Sequence, residues 1–362
     1  MRASVADSTS AHYAVGWRAW TSFATIVGQS PFPSATDSVV LLEGFALPLA
    51  IAFVTGFCAY GRETLHLSPS TICGYLSGVA FNLKMANCDA SFLASPPVQM
   101  ARAGLRRLAA KDNTSSKSRL PFTLDLILSY GVFANSSSAS LNHLGLFVAM
   151  MLAFSCLLRR SEYIPTTGTK HHLKAKDIVF TLNDDTKLGS HEILLQHATQ
   201  VKEVHIRIPS SKCDQEGLGF TYAFSATAVS TRNIVLLLFR WAVQTHKTAD
   251  APFFSAFSKQ GGKLWCIDAT SLTNALRIVA RKVGFPPAQL CCFTTHSLRY
   301  GGASTLLAAG VDKYQIQLAG RWKSDAFMTY LLACHSLFER TQSALADASI
   351  LSCRSILQVS VH

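Results

Sequence analysis

Apolar residues recur every three to four positions along most of the chain, and one central stretch alternates instead. The first spacing predicts helices and the second predicts strands. Residues 1–12 are small and polar and read as a loose tail. Tyr13–Val27 carries apolar residues at helical spacing, and a Pro/Ser loop over Gly28–Ser38 ends it. Leu47–Tyr60 predicts a second helix. Ser68-Pro69-Ser70 opens a third, because Ser before Pro suits a first helical turn. Pro96-Pro97 precedes a fourth, with Arg102, Arg106 and Lys111 on related turns. Lys111–Pro121 (KDNTSSKSRLP) is polar, Ser-rich and basic and ends in Pro, so it reads as a linker.

Beyond the linker, Phe122–Tyr130 and Ser140–Leu158 predict helices. Asp177–Leu182, Glu192–Gln196 and Val204–Pro209 gather β-formers and predict a small three-stranded sheet. Helices resume at Thr231–Thr245, Asp268–Val283, His296–Ala309 and Asp312–Gly320. A last apolar pattern runs from Asp325 to about Leu351. The expected class is mainly α with a small β-sheet. An all-helical domain covers 1–110, a basic linker 111–121, and an α+β domain with a helical C-terminal tail 122–362.

Two apolar runs, Phe45–Tyr60 and Leu144–Leu158, raise the question of a membrane. Both fall short of the roughly 20 residues a span needs, and the first contains Pro48. Buried core helices are expected instead. Met1–Ala14 has no apolar run of the kind a signal peptide carries, and the ten cysteines include no CxxC pair. Free thiols in a reducing, intracellular setting are therefore expected. Cys291, Cys292 and His296 match no common zinc spacing, so no metal site is expected.

Composition narrows the partner. The chain has 33 Lys and Arg against 21 Asp and Glu, a net charge of +12. Yet only 15% of its residues are charged, against about 25% in ordinary domains. The excess reflects scarce acids. At 49% hydrophobic, the chain is not an intrinsically disordered one. Such a surface suits a polyanion, either nucleic acid or an acidic membrane face. Residues 1–121 hold 10 cations and 6 acids, and the remainder 23 and 15, so both domains are basic.

The richest stretch for chemistry is Thr295–Leu331, THSLRYGGASTLLAAGVDKYQIQLAGRWKSDAFMTYL. It contains His296-Ser-Leu-Arg299, then Gly320-Arg321-Trp322, then Tyr330. Upstream lie Arg159-Arg160-Ser161-Glu162 and, after a predicted strand, Ser211-Lys212-Cys213. In this order the residues resemble the tyrosine recombinase family, which includes the phage integrases. The resemblance covers about Arg119 to Tyr330. The N-terminal third resembles the family's core-binding domain only in size and helix content.

The resemblance implies a role for each position. Arg159 takes the first arginine's place in an R-x-S-E pattern, with Glu162 orienting it. Lys212 matches the lysine of a β-hairpin turn. His296 and Arg299 match the H-x-x-R pattern, and Trp322 the third His-or-Trp position. Tyr330 matches the nucleophile and stands eight positions after Trp322, one short of the family spacing. Two guanidiniums can clamp a phosphodiester's non-bridging oxygens and hold them more tightly as negative charge grows. A Tyr hydroxyl attacks phosphorus once aligned and relieved of its proton. The resemblance further implies double-stranded DNA as partner, a clamp of two domains, and a homotetramer on two DNA sites. It implies no cofactor and no metal, with phosphodiester energy kept in a 3′-phosphotyrosyl bond. The setting would be DNA integration or recombination by a mobile element such as a Crypton, in the nucleus if the host is eukaryotic. Arg102, Arg106, Lys111, Lys117 and Arg119 are candidate phosphate contacts. Two other readings stay open: a catalytically silent, transposon-derived DNA-binding protein, and a monomeric enzyme like the type IB topoisomerases.

Overall fold

The computed structural model describes residues 5, 7–32, 46–111, 119–165, 172–210, 214, 217–226, 233–257 and 264–328. It divides into two compact units, Met1–Lys117 and Ser118–His362. Lys117, Lys212 and Tyr330, and the apolar pattern after Met328, lie outside the described residues.

The first unit is helical: α1 (Asp7–Ile26), α2 (Ala46–Glu63), α3 (Pro69–Met85) and α4 (Pro96–Lys111). Ser68 caps α3, its hydroxyl accepting from the Thr71 N–H at 3.2 Å. Trp20, Phe57, Ile72, Leu76, Val79 and Leu83 form its buried centre. Helix α1 begins six residues before the sequence pattern predicts. At the end of its extra turns His12 meets α3, its ring centre 5.6 Å from that of Tyr75, and the two helices pack closely just beyond. A Cβ on Gly16 would stand 2.7 Å from the Tyr75 Cα, and one on Gly78 2.8 Å from the Tyr13 Cα. Packing rather than propensity extends this helix. Within it, Arg106 and Lys111 are exposed on α4 and Arg102 is half-buried.

The second unit opens with α5 (Leu124–Ala134) and α6 (Leu141–Ser155). Every residue from Leu144 to Phe154 is buried. This explains the apolar run: α6 is a core helix surrounded by its own domain. Among the described residues no helix is long and apolar enough to cross a membrane. The short α7 (Arg160–Tyr163) follows. Then β1 (Ile178–Leu182), β2 (Lys187–Gly189), β3 (Val201–Ile208) and β4 (Phe220–Ser225) make one antiparallel sheet in the order β2-β1-β3-β4. After α8 (Ile234–Thr245), β5 (Ser255–Phe257) and β6 (Leu264–Cys266) form a two-stranded ladder. Helices α9 (Ala269–Val283), α10 (Pro287–Leu290), α11 (His296–Ala308) and α12 (Lys313–Gly320) complete the unit.

The class is mainly helical with a small antiparallel sheet, as the pattern predicts, but the sheet has four strands. Glu192–Gln196 is not one of them. Glu192 accepts the Gly189 N–H at 2.7 Å, and His197 Nδ1 accepts the Leu194 N–H at 3.1 Å. Those side-chain bonds wind the segment into turns. Its place beside β1 is taken by β2, reached through a tight turn with Asp185 at φ 66°.

Helix α11 lies unusually close to its neighbours. A Cβ on Gly301 would collide with the Phe122 carbonyl, and one on Gly302 with the Phe154 carbonyl. Two adjacent glycines thus let α11 rest backbone against backbone on the segment before α5 and on the end of α6.

Candidate active site

Two chain reversals build the site. At the first, α6 ends with Leu157 at φ 48°, and the Leu158 N–H bonds to the Ala153 carbonyl at 2.9 Å. No glycine marks this stop, which is why the sequence pattern runs the helix on to Leu158. The chain then turns so that Arg159 stands at the N-cap of α7. At the second, α12 ends with Arg321 at φ 54°, in the left-handed region. For a side-chain-bearing residue this conformation costs about 1 kcal/mol.

Between these reversals the arginines meet. Glu162 is 2% exposed. Its Oε1 accepts Arg159 Nη1 at 3.1 Å, and its Oε2 accepts the Arg159 backbone N–H at 2.7 Å. The same Oε2 accepts Arg321 Nη2 at 2.8 Å. Arg299, on α11, is 1% exposed. Its Nη1 donates to the Leu157 carbonyl and its Nη2 to the Gly320 carbonyl at 2.6 Å. Its Cζ lies 4.1 Å from the centre of the Trp322 ring, which stacks on Phe327 at 5.4 Å. Burial first, then the Arg159 charge, pulls the Arg299 guanidinium down to about 10. It remains a cation at neutral pH.

His296 opens α11, one turn before Arg299. Burial, then the charges of Arg119, Arg299 and Arg159, lower its imidazole to about 4. At neutral pH it is therefore an uncharged hydrogen-bonding group. This has a stability consequence. An unfolded chain takes up a proton here near pH 6.5, while the folded protein does not until about 4. The unfolded state binds more protons in that window, so stability falls as pH drops through it. Between pH 7 and pH 5 the loss from this group is about 2 kcal/mol. Urea unfolding at those two pH values should show His296→Gln losing correspondingly less stability than the parent protein. Identical pH dependence in the two proteins would refute this account.

The structure therefore brings together four of the sequence-derived candidates, Arg159, Glu162, Arg299 and Trp322, with His296 close enough to feel both arginines. Arg119 is exposed and lies in the same unit. Arg102, Arg106 and Lys111 belong to the other unit. Among the described residues no cluster of His, Cys, Asp or Glu could hold a metal ion.

Sequence reasoning passes over Arg321 and Tyr222. The Tyr222 hydroxyl lies 2.8 Å from the Cys156 carbonyl oxygen and 2.6 Å from that of Ala319, to which it donates, tying β4 to both reversals. Its ring centre lies 5.5 Å from Arg321 Cζ. A cleft of about 410 Å³ opens beside the second reversal, lined by Ser210, Asp214, Tyr314, Arg321, Trp322 and Lys323 among others. Asp214 shapes its rim by accepting the N–H groups of Gly217, Leu218 and Gly219 at 3.1, 3.1 and 2.7 Å.

No family model and no curated protein matches the chain. Among solved structures it is similar to XerH site-specific recombinase bound to palindromic difH substrate, in a post-cleavage complex. That match has a TM-score of 0.48 and 14% identity, and covers 83% of this chain and 73% of that one. It is also similar to the Tn1549 transposon integrase in complex with transposon right end DNA. Here the TM-score is 0.45 and the identity 12%, covering 83% and 85% of the two chains. XerA recombinase matches with a TM-score of 0.39 and 14% identity over 92% and 98%.

Proposed function

We propose that the protein is a DNA strand transferase of the tyrosine recombinase kind, which breaks and rejoins duplex DNA through a 3′-phosphotyrosyl intermediate. What supports this reading most directly is the meeting of Arg159 and Arg299. They are 140 positions apart in sequence, yet each lies within the other's field, one fixed by Glu162 and the other by two carbonyls and an indole. Two oriented guanidiniums, that of Arg299 buried and that of Arg159 half-buried, suit an anion whose charge grows during reaction.

In this reading Arg159 and Arg299 hold the non-bridging oxygens of the scissile phosphate. The Tyr330 hydroxyl gives up its proton and attacks phosphorus, forming the P–O bond to the enzyme as the P–O bond to the 5′ oxygen breaks. Lys212 supplies the proton to that leaving oxygen. The reverse step, attack by a 5′ hydroxyl, rejoins the strand and frees Tyr330. Neutral His296 takes the Tyr330 proton as base or donates a hydrogen bond to the reacting phosphate. Trp322 packs against Arg299 and keeps its plane fixed. The exposed cations of α4, with Arg119 and Lys117, contact the DNA backbone. A homotetramer on two sites, acting inside the cell for a mobile element, completes the proposal.

The test uses a duplex nicked near its cleavage site, so that the freed end diffuses away and the covalent complex accumulates. Pooled DNA captured by the protein identifies the site first. The full-length protein should form an adduct that survives denaturation. Tyr330→Phe should form none, while its DNA affinity stays within about twofold of the parent. Adducts persisting in Tyr330→Phe would sink the assignment of the nucleophile. Binding without any adduct in the parent would favour a silent DNA-binding protein. Relaxation of supercoiled plasmid without sequence demand would favour the topoisomerase-like reading.

A further inference from the structure

We propose that Arg321 is a positioning residue that holds the catalytic Arg159 in place through Glu162. This rests on the strand-transfer reading above but adds a residue to it. The Glu162 carboxylate has one oxygen on the Arg159 guanidinium and the other on the Arg159 backbone N–H. The second oxygen also receives Arg321 Nη2 at 2.8 Å. Arg321 thereby fixes the end of the carboxylate opposite the Arg159 guanidinium. A carboxylate held at both ends presents a fixed acceptor, and a fixed acceptor fixes the guanidinium that bonds to it.

Arg321 is well placed to do this. It stands between Gly320, whose carbonyl receives Arg299, and Trp322, whose ring carries Arg299. One turn therefore touches both arginines of the clamp, Arg299 directly and Arg159 by way of Arg321 and Glu162. The side chain of Arg321 is 9% exposed. Its Nε and Nη1 are buried and have no hydrogen-bond partner among the described residues, and the Tyr222 ring lies against the guanidinium at 5.5 Å. Tyr222 in turn is tied by its hydroxyl to the carbonyls of Cys156 and Ala319, next to each reversal.

The backbone supplies an independent argument. At φ 54° glycine is the favoured residue, and here an arginine occupies the position. A helix end that needed only to stop would be better served by glycine. The pairing agrees: the Glu162 carboxylate is shared by Arg159 and Arg321, while Arg299 rests on two carbonyls and an indole. A phosphodiester passing through its five-coordinate state carries about two negative charges, which guanidiniums held in this way would meet.

The backbone preference also provides a suitable variant. Arg321→Gly fits the local conformation, so it removes the side chain without forcing the turn. Adduct formation on the nicked duplex is measured at single turnover, with DNA affinity and thermal melting recorded alongside. Arg321→Gly should form adduct about 100-fold more slowly at unchanged DNA affinity. Arg321→Lys, which keeps a cation within reach of Glu162, should recover about tenfold of that loss. In a Glu162→Gln background, Arg321→Gly should cost less than about twofold more, because the route it acts through is already broken. Side-chain NMR of protein labelled with ¹⁵N-arginine reads the geometry without catalysis: the Arg159 signals should shift in Arg321→Gly and return toward the parent in Arg321→Lys. Unmoved Arg159 signals in Arg321→Gly, or losses that multiply independently in the double variant, would overturn the proposal. An unaltered protein that forms no adduct would overturn the strand-transfer reading instead, and the NMR comparison would still decide the role of Arg321.

Discussion

Arg299→Met should lower the rate of covalent adduct formation by at least about a thousandfold. The side chain is 1% exposed, and its two terminal nitrogens bond to the carbonyls of Leu157 and Gly320. Those bonds hold the guanidinium plane against Trp322. Methionine has similar length but no donor, so the clamp loses one of its two cations. It also leaves two buried carbonyls without the donor they had, which should cost on the order of 2–5 kcal/mol of stability. Arg299→Lys should rescue little. One ammonium cannot reach both carbonyls in a fixed fork and lie flat on an indole at once. Single-turnover adduct formation and urea unfolding on the three proteins measure both effects. If Arg299→Met reacts within about tenfold of the parent, the buried arginine is a structural strut and the clamp must lie elsewhere.

Gly301→Ala should destabilise the second unit by about 3 kcal/mol or more, although it adds a single methyl group. In most helices this exchange is favourable by up to about 1 kcal/mol, because alanine is the better helix former. Here the new Cβ would collide with the Phe122 carbonyl oxygen and stand 2.7 Å from its carbon. Backbone cannot swing aside as a flexible side chain can. The contact is also braced, since the Phe122 N–H bonds to the Ser297 carbonyl at 2.9 Å. Helix α11 must then move away from the segment before α5, carrying His296 and Arg299 with it. Adduct formation should fall together with stability. The shift in urea midpoint measures the loss of stability, and an unchanged midpoint would refute the close backbone packing of α11 as the cause.

Much of the fold is legible in the sequence where local chemistry and tertiary packing agree. Ser68 before Pro69 marks the start of α3. Asp268 caps α9, accepting the Ser271 N–H at 2.7 Å, and Gly284 ends it at φ 102°. Disagreements arise where distant contacts decide. The first turns of α1 look like a polar tail because His12 meets its neighbours on α3, Gly74 and Tyr75, some sixty residues away. Strand β2 is three residues long and too short to alternate visibly. Strand β4 has exposed residues between half-buried ones, as an edge strand does, and follows two glycines that suggest only a turn.

The candidate site divides along the same line. Arg159, Glu162, His296, Arg299 and Trp322 are legible because their types and order resemble the pattern of the tyrosine recombinase family. Arg321 is not. Its neighbours in sequence are conspicuous, but its partner Glu162 stands 159 positions earlier, and an arginine in a left-handed turn gives no local signal. Tyr222 is hidden for a similar reason, since β4 resembles any edge strand until its hydroxyl is seen between two helix ends.

The Leu157 carbonyl has a consequence for how this protein would respond to mutation. It is one of two main-chain oxygens that aim Arg299, and it points there because the chain reverses at φ 48°. Every amino acid carries that oxygen. An exhaustive substitution survey would therefore score position 157 for packing and for tolerance of the left-handed backbone, and the aiming of Arg299 by its oxygen would leave no separate mark. Only an alteration of the main chain itself, such as replacing the amide after Leu157 with an ester to weaken that oxygen as an acceptor, would bring it to light.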